Sequence, residues 1–223
     1  GERDTTTGSV FSGDILLSAG GDLLGKAGGT LESFVQIGHG GHLAGGGGSL
    51  ASGAIEVTVG DAINLTGGAG MRASVRIGHG GDLSGGTRSG SLLVDAGGAI
   101  SLKGGAGDDA GAQLGHGGVG AGGSSSGAIE VTTPGDLLLE GGSDTGSSAQ
   151  IGHGGRQASG TVVGTLAVTA RDVRLLGGSG LATGSQIGHG GYIFGGSVDD
   201  QALSIEATGD LVLTGGSGKN ASV

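Results

Sequence analysis

The amino-acid sequence predicts an all-β chain and, within that class, a parallel β-solenoid, which is a rod of stacked coils. The motif Q-I-G-H-G-G, or a close variant of it, occurs five times, and the segments between its copies alternate apolar and polar residues. Alternation with period two is typical of β-strands, and repeats too small to bury a face alone must stack on their neighbours. We therefore expect about one three-stranded coil for each repeat of about 37 residues.

The first predicted strand of each repeat has the form S-G-x-I-x-V-x-A. In one copy Ile129 and Val131 face one side of the strand, whereas Glu130 and Thr132 face the other. The copies lie at residues 12–19, 52–59, 89–96, 126–133, 163–170 and 201–207. Their first apolar positions step by 40 residues and then four times by 37, so we expect these side chains to stack in register.

The second predicted strand has the form G-D-L-x-L-x-G-G. Its copies lie at 60–68, 97–105, 135–142, 171–178 and 209–216, with a degenerate copy at 21–29 in which Gly25 replaces the expected leucine. The recurrent aspartates are Asp22, Asp61, Asp136, Asp172 and Asp210. We expect them to cap turns rather than bind Ca²⁺, because the calcium nonapeptide pattern is approached only at 104–109.

The third predicted strand ends in the G-H-G-G signature. Its histidines are His39, His79, His116, His153 and His189, with steps of 40, 37, 37 and 36 residues. Each follows an inward Ile or Leu by two residues, so strand parity predicts that the rings face the interior or a corner. We interpret them as a structural ladder, with ligation of a divalent metal ion as the alternative. His42 occurs in one repeat only and is expected to be an incidental loop residue.

A row of glutamines lies one residue before the apolar position of the third strand. The row comprises Gln36, Gln113, Gln150 and Gln186, and it is interrupted by Arg76. Parity predicts that these side chains point outward and form an amide ladder that stabilises the stack.

Two other architectures compete with one coil per repeat. Two coils of about 18 residues would need an apolar counterpart of the second strand near residues 156–159, and the sequence offers none. A propeller blade usually has four strands and aromatic signatures, whereas aromatic residues make up 2% of this chain.

The repeats are continuous, so we expect one array over residues 1–223. Its units lie at about 12–48, 52–88, 89–125, 126–162 and 163–199, with a partial unit at 200–223. Because the pattern is cut within a repeat at both ends, we expect the chain to be a piece of a longer array.

Composition argues against several classes of function. A net charge of −10 disfavours nucleic acid as a partner, and no apolar run is long enough to insert into a membrane. The chain has no cysteine and therefore no disulfide bond. Paired carboxylates such as Asp108–Asp109 lack a partner base, and the irregular residues are mostly Gly, Ser and Ala. We therefore expect no enzyme and no required cofactor.

The serial G-D-[IL] strands (Gly13-Asp14-Ile15, Gly135-Asp136-Leu137, Gly209-Asp210-Leu211) and the G-G turns resemble the shafts of bacterial filamentous-haemagglutinin-type exoproteins, which are exported by two-partner secretion. The resemblance covers the whole chain and rests on composition and period. It implies a right-handed parallel β-helix that is secreted or held at the cell surface, acts in adhesion or biofilm, and has no catalytic residues.

We therefore expect a structural shaft segment of a bacterial adhesin or matrix protein, with the rest of a longer repeat protein as its main partner. Polysaccharide and a host or neighbouring cell surface are further expected partners. The alternatives are a module whose repeated face binds polysaccharide or metal ions, and a carbohydrate-active β-helix enzyme.

Overall fold

The computed structural model describes residues 8–223, apart from the side chains of Asp200 and Gln201. The residues 1–7 of the expected array lie outside this range. Every described element is a β-strand, and all strand pairs are parallel. No helix among these residues could span a membrane. The predicted parallel β-solenoid is confirmed, with about 5 turns at a spacing of about 37 residues.

The strands form three sheets that run along the rod. The first sheet contains β1 (Val10–Ser12), β2 (Ile15–Ala19), β5 (Leu50–Ser52), β6 (Ile55–Val59), β9 (Thr87–Ser89), β10 (Leu92–Ala96), β13 (Ser125–Ser126), β14 (Ile129–Thr132), β17 (Thr161–Ala170) and β20 (Ser197–Ala207). The second contains β3 (Leu23–Lys26), β7 (Ile63–Thr66), β11 (Ile100–Lys103), β15 (Leu137–Glu140), β18 (Val173–Leu176) and β21 (Leu211–Thr214). The third contains β4 (Val35–Ile37), β8 (Val75–Ile77), β12 (Ala112–Leu114), β16 (Ala149–Ile151) and β19 (Ser185–Ile187).

Register in the first sheet follows the repeat, with one shift between Gly164 and Thr165 where β17 pairs with β20. Ile15 pairs with Ile55, and the row continues through Leu92, Ile129, Leu166 and Leu203. Each residue of this row therefore pairs with the equivalent residue one whole repeat away, as one coil per repeat requires. Two coils per repeat would instead pair residues about half a repeat apart.

The core is a narrow column of aliphatic side chains between the three sheets. In the coil that begins at β14, the inward residues Ile129, Val131, Leu137, Leu139 and Ile151 are all at most 1% exposed. Equivalent residues of successive coils stack on one another, so each layer buries the next. Burial of this apolar surface is the main stabilising contribution to such a fold.

Gly25 explains the degenerate first copy of the second strand. A Cβ at this position would lie 2.8 Å from the Leu65 side chain and 3.0 Å from the Val75 side chain. Side chains of the second coil therefore fill the space that a leucine would take, and the strand β3 forms despite the missing side chain.

A short strand precedes the first-sheet strand in the first four coils and was not predicted. It comprises β1, β5, β9 and β13, and it is separated from β2, β6, β10 and β14 by a glycine such as Gly90. In the last two coils the two pieces merge into β17 and β20. The intervening glycine carbonyl is what the histidines contact.

Candidate functional site: the histidine ladder and a charged seam

The five G-H-G-G histidines form one continuous stack. Neighbouring ring centroids from His39 to His189 are 5.1, 4.8, 4.7 and 4.8 Å apart, and the rings are within 23° of parallel. This spacing is that of neighbouring β-strands, so the backbone sets it. His79, His116 and His153 are 0% exposed, which confirms that the rings point inward.

Both ring nitrogens of each central histidine have backbone partners. Nδ1 of His116 accepts a hydrogen bond from the backbone N–H of His79, at 3.0 Å, and Nε2 lies 2.9 Å from the carbonyl oxygen of Gly90. His79 and His153 repeat this arrangement with Gly53 and Gly127. A carbonyl can only accept, so Nε2 carries the proton and the ring is neutral.

The ladder disfavours the charged form of imidazole. Burial lowers the pKa of His79, lowers that of His116 well below its usual value, and lowers that of His153 to about 4. Neighbouring histidines and the Arg88 guanidinium lower the pKa values of His116 and His153 further, while the bonds to Gly90 and Gly127 oppose the shift. Protonation at Nδ1 would also set two N–H donors against each other, which breaks the bond to the preceding coil.

Glycines make room for this turn. Gly115, just before His116, has a φ of +146°, and a Cβ there would collide with the carbonyl oxygen of Gly152 in the next coil. Gly78 and Gly152 have the same conformation and the same obstruction by the following coil. The first glycine of the first four G-H-G-G signatures is therefore required by both the backbone conformation and the close stacking.

The central glutamines lie on the outer face of their strands, as predicted, but they are buried there and do not form the predicted amide ladder. Gln113 and Gln150 are 6% and 7% exposed. The Nε2 of Gln113 donates to the carbonyl oxygens of Gly152 and Gly154, each at 3.0 Å, in the G-H-G-G turn of the next coil. Gln36 and Gln150 likewise donate to two glycine carbonyls in the G-H-G-G turn of the coil that follows each of them. The row joins side chain to backbone between coils, rather than amide to amide.

Arg76 interrupts this row together with a second residue that compensates for it. Its Nη2 donates to Oδ1 of Asp82 at 2.9 Å, and its Nε donates to Oε1 of Gln113 at 2.7 Å. Asp82 also accepts from the Ser74 hydroxyl and from the Val119 backbone N–H. Arg76 and Asp82 are 5% and 2% exposed, so this is a buried ion pair, and its carboxylate accepts three hydrogen bonds.

Arg88 is a second buried cation, at the inner side of the ladder. It is 2% exposed and donates to the hydroxyls of Ser84 and Ser125 and to the carbonyls of Gly122 and Gly123. All of these acceptors are neutral. Burial, with a smaller effect from Arg76, lowers the pKa of Arg88 to about 10.

The aspartates of the second-strand turns act in two ways. Oδ1 of Asp22 accepts from the Ala62 backbone N–H at 3.0 Å, and Oδ1 of Asp172 accepts from that of Asp210 at 2.9 Å. Asp136 instead pairs with Arg171, at 2.6 Å from Nη2. The expected turn capping is therefore seen for Asp22 and Asp172, where the carboxylate reaches the next coil.

Charged residues that break the repeat pattern gather along one line, which we call the charged seam. It comprises Glu32, His42, Arg72, Arg76, Asp82, Asp109 and Arg156. Arg76, Asp82, Asp109 and Arg156 line a cavity of about 20 Å³. The charged seam is the exception among irregular residues that are otherwise mostly Gly, Ser and Ala. Stacking brings together charges that lie far apart in sequence.

The charged seam holds several groups that sequence reasoning did not single out. His42 lies in a loop, as expected, but it is 9% exposed and therefore buried. Its Nε2 lies 3.0 Å from Oε1 of Glu32 without hydrogen-bond geometry. Arg156 Nη1 lies 2.6 Å from Oδ1 of Asp109, whose pKa is raised by burial against the opposing effect of Arg156. The sequence signal that could have found these residues is that each differs from the residues at the equivalent position in the other repeats.

Within residues 8–223, no group of three or more His, Asp or Glu side chains is placed to share a metal ion. Ligation of a metal by His79, His116 or His153 would have to break one of the two backbone contacts of that ring. No protein-family model matches the chain, and comparisons with curated proteins and with solved structures likewise give no match.

Proposed function

We propose that this chain is a structural shaft segment of a secreted or cell-surface bacterial adhesin or biofilm matrix protein, without catalysis of its own. The observation that carries the proposal is the use made of the repeated polar side chains. His116 and Gln113 both bond to backbone groups of a neighbouring coil or of their own coil. Repeated residues that hold coils together are what a rod of adjustable length needs.

The net charge of −10 and the resemblance to haemagglutinin-type shafts support the extracellular part of the proposal. An acidic rod stays soluble and resists unspecific association. In this proposal the shaft places an adhesive region away from the cell, and its main partner is the rest of a longer repeat protein.

The location is tested by labelling intact cells of the producing bacterium with antibodies raised against residues 8–223. We expect signal on unpermeabilised cells or in the medium, with a cytoplasmic protein as the negative control. Signal that appears only after lysis would contradict the proposed location.

The charged seam supports a second candidate, a module that binds polysaccharide or metal ions. Four of its buried nitrogens, both ring nitrogens of His42 and the Nε atoms of Arg72 and Arg156, lack a hydrogen-bond partner among the described residues. Unpaired donors of this kind suit an acidic glycan. Screening the chain against glycans of graded charge decides between the two functions: binding that is lost in an Arg72→Gln and Arg156→Gln variant supports the module, and no binding supports the shaft.

Binding of metal ions by the histidine ladder has a separate test. Melting is measured at neutral pH with and without a chelator. If the ladder is purely structural, the chelator leaves the melting temperature of the protein unchanged. If the ladder binds ions, the chelator lowers the melting temperature by several degrees, because a ligand bound to the folded state raises its stability.

A further inference from the structure

The three sheets do not reach the same height at the C-terminal end of the rod. In the described chain the first and second sheets extend to β20 and β21 in the sixth coil, whereas the third ends at β19 in the fifth. The edge of β19 therefore pairs with no sixth strand, and the inward residues of β21 are open. Leu211 and Leu213 are 54% and 58% exposed, whereas their counterparts Val173 and Leu175 are 0% and 5% exposed.

A cavity of about 530 Å³ occupies the position of the absent strand. Its apolar lining includes Ile187 of the third sheet, Ile205 of the first and Leu213 of the second. These three side chains surround the position equivalent to Ile187 in a following coil. A single aliphatic side chain from a strand laid on β19 would cover all three.

The start of that strand is already in place. The Ser185 backbone N–H donates to the Ser222 carbonyl at 3.0 Å, as the Ala149 N–H donates to the Gly184 carbonyl one coil before. Because Ala149 is in register with Ser185, the same bond places Val223 opposite Ser185. Val223 therefore lines the near end of the cavity.

Gln186 shows which sequence the cavity lacks. The Nε2 of Gln150 donates to the carbonyls of Gly188 and Gly190 in the following G-H-G-G turn, whereas that of Gln186 folds back onto the His189 carbonyl of its own coil, at 3.0 Å. Gln186 is therefore placed to bind a G-H-G-G turn in the next layer.

We propose that this end of the rod is a strand-acceptor site whose occupant is a further coil of the same array joined at Val223, with the sequence Q-[IL]-G-H-G-G. Its apolar residue covers Ile187, Ile205 and Leu213, its turn accepts from Gln186, and its histidine extends the ladder over His189. The inference rests on the proposed array, but not on its location at the cell surface.

The test extends the chain after Val223 by a copy of residues 150–162. The matched control carries the same extension with Ile151→Asp in the added copy only. We expect the native extension to raise the melting temperature by about 5 °C or more, and to slow amide exchange at Gln186 and Ile187 at least about 100-fold. The control extension should produce neither effect.

A second pair of variants tests the acceptor side within the extended chain. Leu213→Ser should remove the gain in melting temperature, whereas Val212→Ser, on the outward face of the same strand, should keep it. Equal behaviour of the two extensions would overturn the proposal. It would also be overturned if the unextended chain dimerises and already protects Gln186 and Ile187, since a second copy would then be the occupant. Loss of cell-surface labelling, by contrast, would affect only the proposed location.

Discussion

At the scale of single residues, the ladder histidines act as neutral connectors between backbones. Each central ring receives an N–H at Nδ1 and gives its own proton at Nε2, so it does the work of two backbone hydrogen bonds at a corner where no strand can continue. Its stacking on the next ring follows from this geometry and does not need a bound ion.

Stability should therefore depend on pH in a defined window. The folded pKa values of His79, His116 and His153 lie below the unfolded value of about 6.5, so the unfolded chain binds more protons between the two. Stability is complete above about pH 6.5 and falls as pH drops toward the folded pKa of His153, about 4. That residue alone should contribute a loss of roughly 3 kcal/mol. Urea denaturation from pH 8 to pH 4 measures it, and a flat profile would refute buried neutral rings.

The position of a histidine in the ladder should decide the effect of replacing it. His116→Gln leaves the His79 N–H and the Gly90 carbonyl in the dry interior without their ring partner, and should lower the unfolding free energy by about 2–4 kcal/mol. His39→Gln, at the less buried N-terminal end, is the control and should cost about 1 kcal/mol. Equal losses in denaturant titrations would mean that the ladder carries no special role inside the rod.

The Arg76–Asp82 pair should be replaceable only as a pair. Asp82→Val alone leaves a buried guanidinium without its carboxylate and should cost about 3–5 kcal/mol. Adding Arg76→Gln copies the coil that holds Gln113 and Val119, so the double variant should return to within about 1 kcal/mol of the parent. If the losses of unfolding free energy are additive in this double-mutant cycle, Arg76 and Asp82 do not act as a pair.

Residue patterns predicted the inward histidines but not the environment of the glutamines. Parity correctly assigns Gln113 to the outer face of its strand, but it cannot show that the following G-H-G-G turn folds over that face. The charged seam was missed for a related reason. Glu32, Asp109 and Arg156 each occur once, and only the stacking of coils brings such residues together.

At the scale of the element, the G-H-G-G turn is fixed by the space between coils. Gly115→Ala adds a Cβ that collides with the Gly152 carbonyl, whereas Gly188→Ala has the same backbone strain but meets only the Gln186 side chain, at 3.3 Å. The φ values, +146° and +151°, are nearly equal. The pair therefore separates collision from conformational strain.

We expect Gly188→Ala to cost about 1–3 kcal/mol from strain, and Gly115→Ala to exceed it by at least about 2 kcal/mol. Thermal and chemical denaturation of both variants gives the comparison. If Gly115→Ala is no worse than Gly188→Ala, the coils are not packed as closely as described.

Strand existence could be predicted from the sequence better than strand extent. Alternation located the three main strands of every coil, including β3 with its glycine. The short strands such as β9 were not found, because Thr-Arg-Ser carries no apolar period and its pairing with β5 and β13 comes from the stack alone.

At the scale of the whole molecule, the rod is a sum of near-identical layers, and each coil contacts mainly the coils beside it. Length should then be proportional to the number of repeats, with no change in cross-section. A shaft depends on this proportionality, and it follows directly from one coil per repeat.

The most direct test inserts four further copies of residues 126–162 between residues 162 and 163 and measures the maximum dimension by small-angle scattering. One coil per repeat predicts that the rod lengthens by about 19 Å, at about 4.8 Å for each added coil, with an unchanged cross-sectional radius. Lengthening by about 38 Å, or a wider cross-section at unchanged length, would contradict the account.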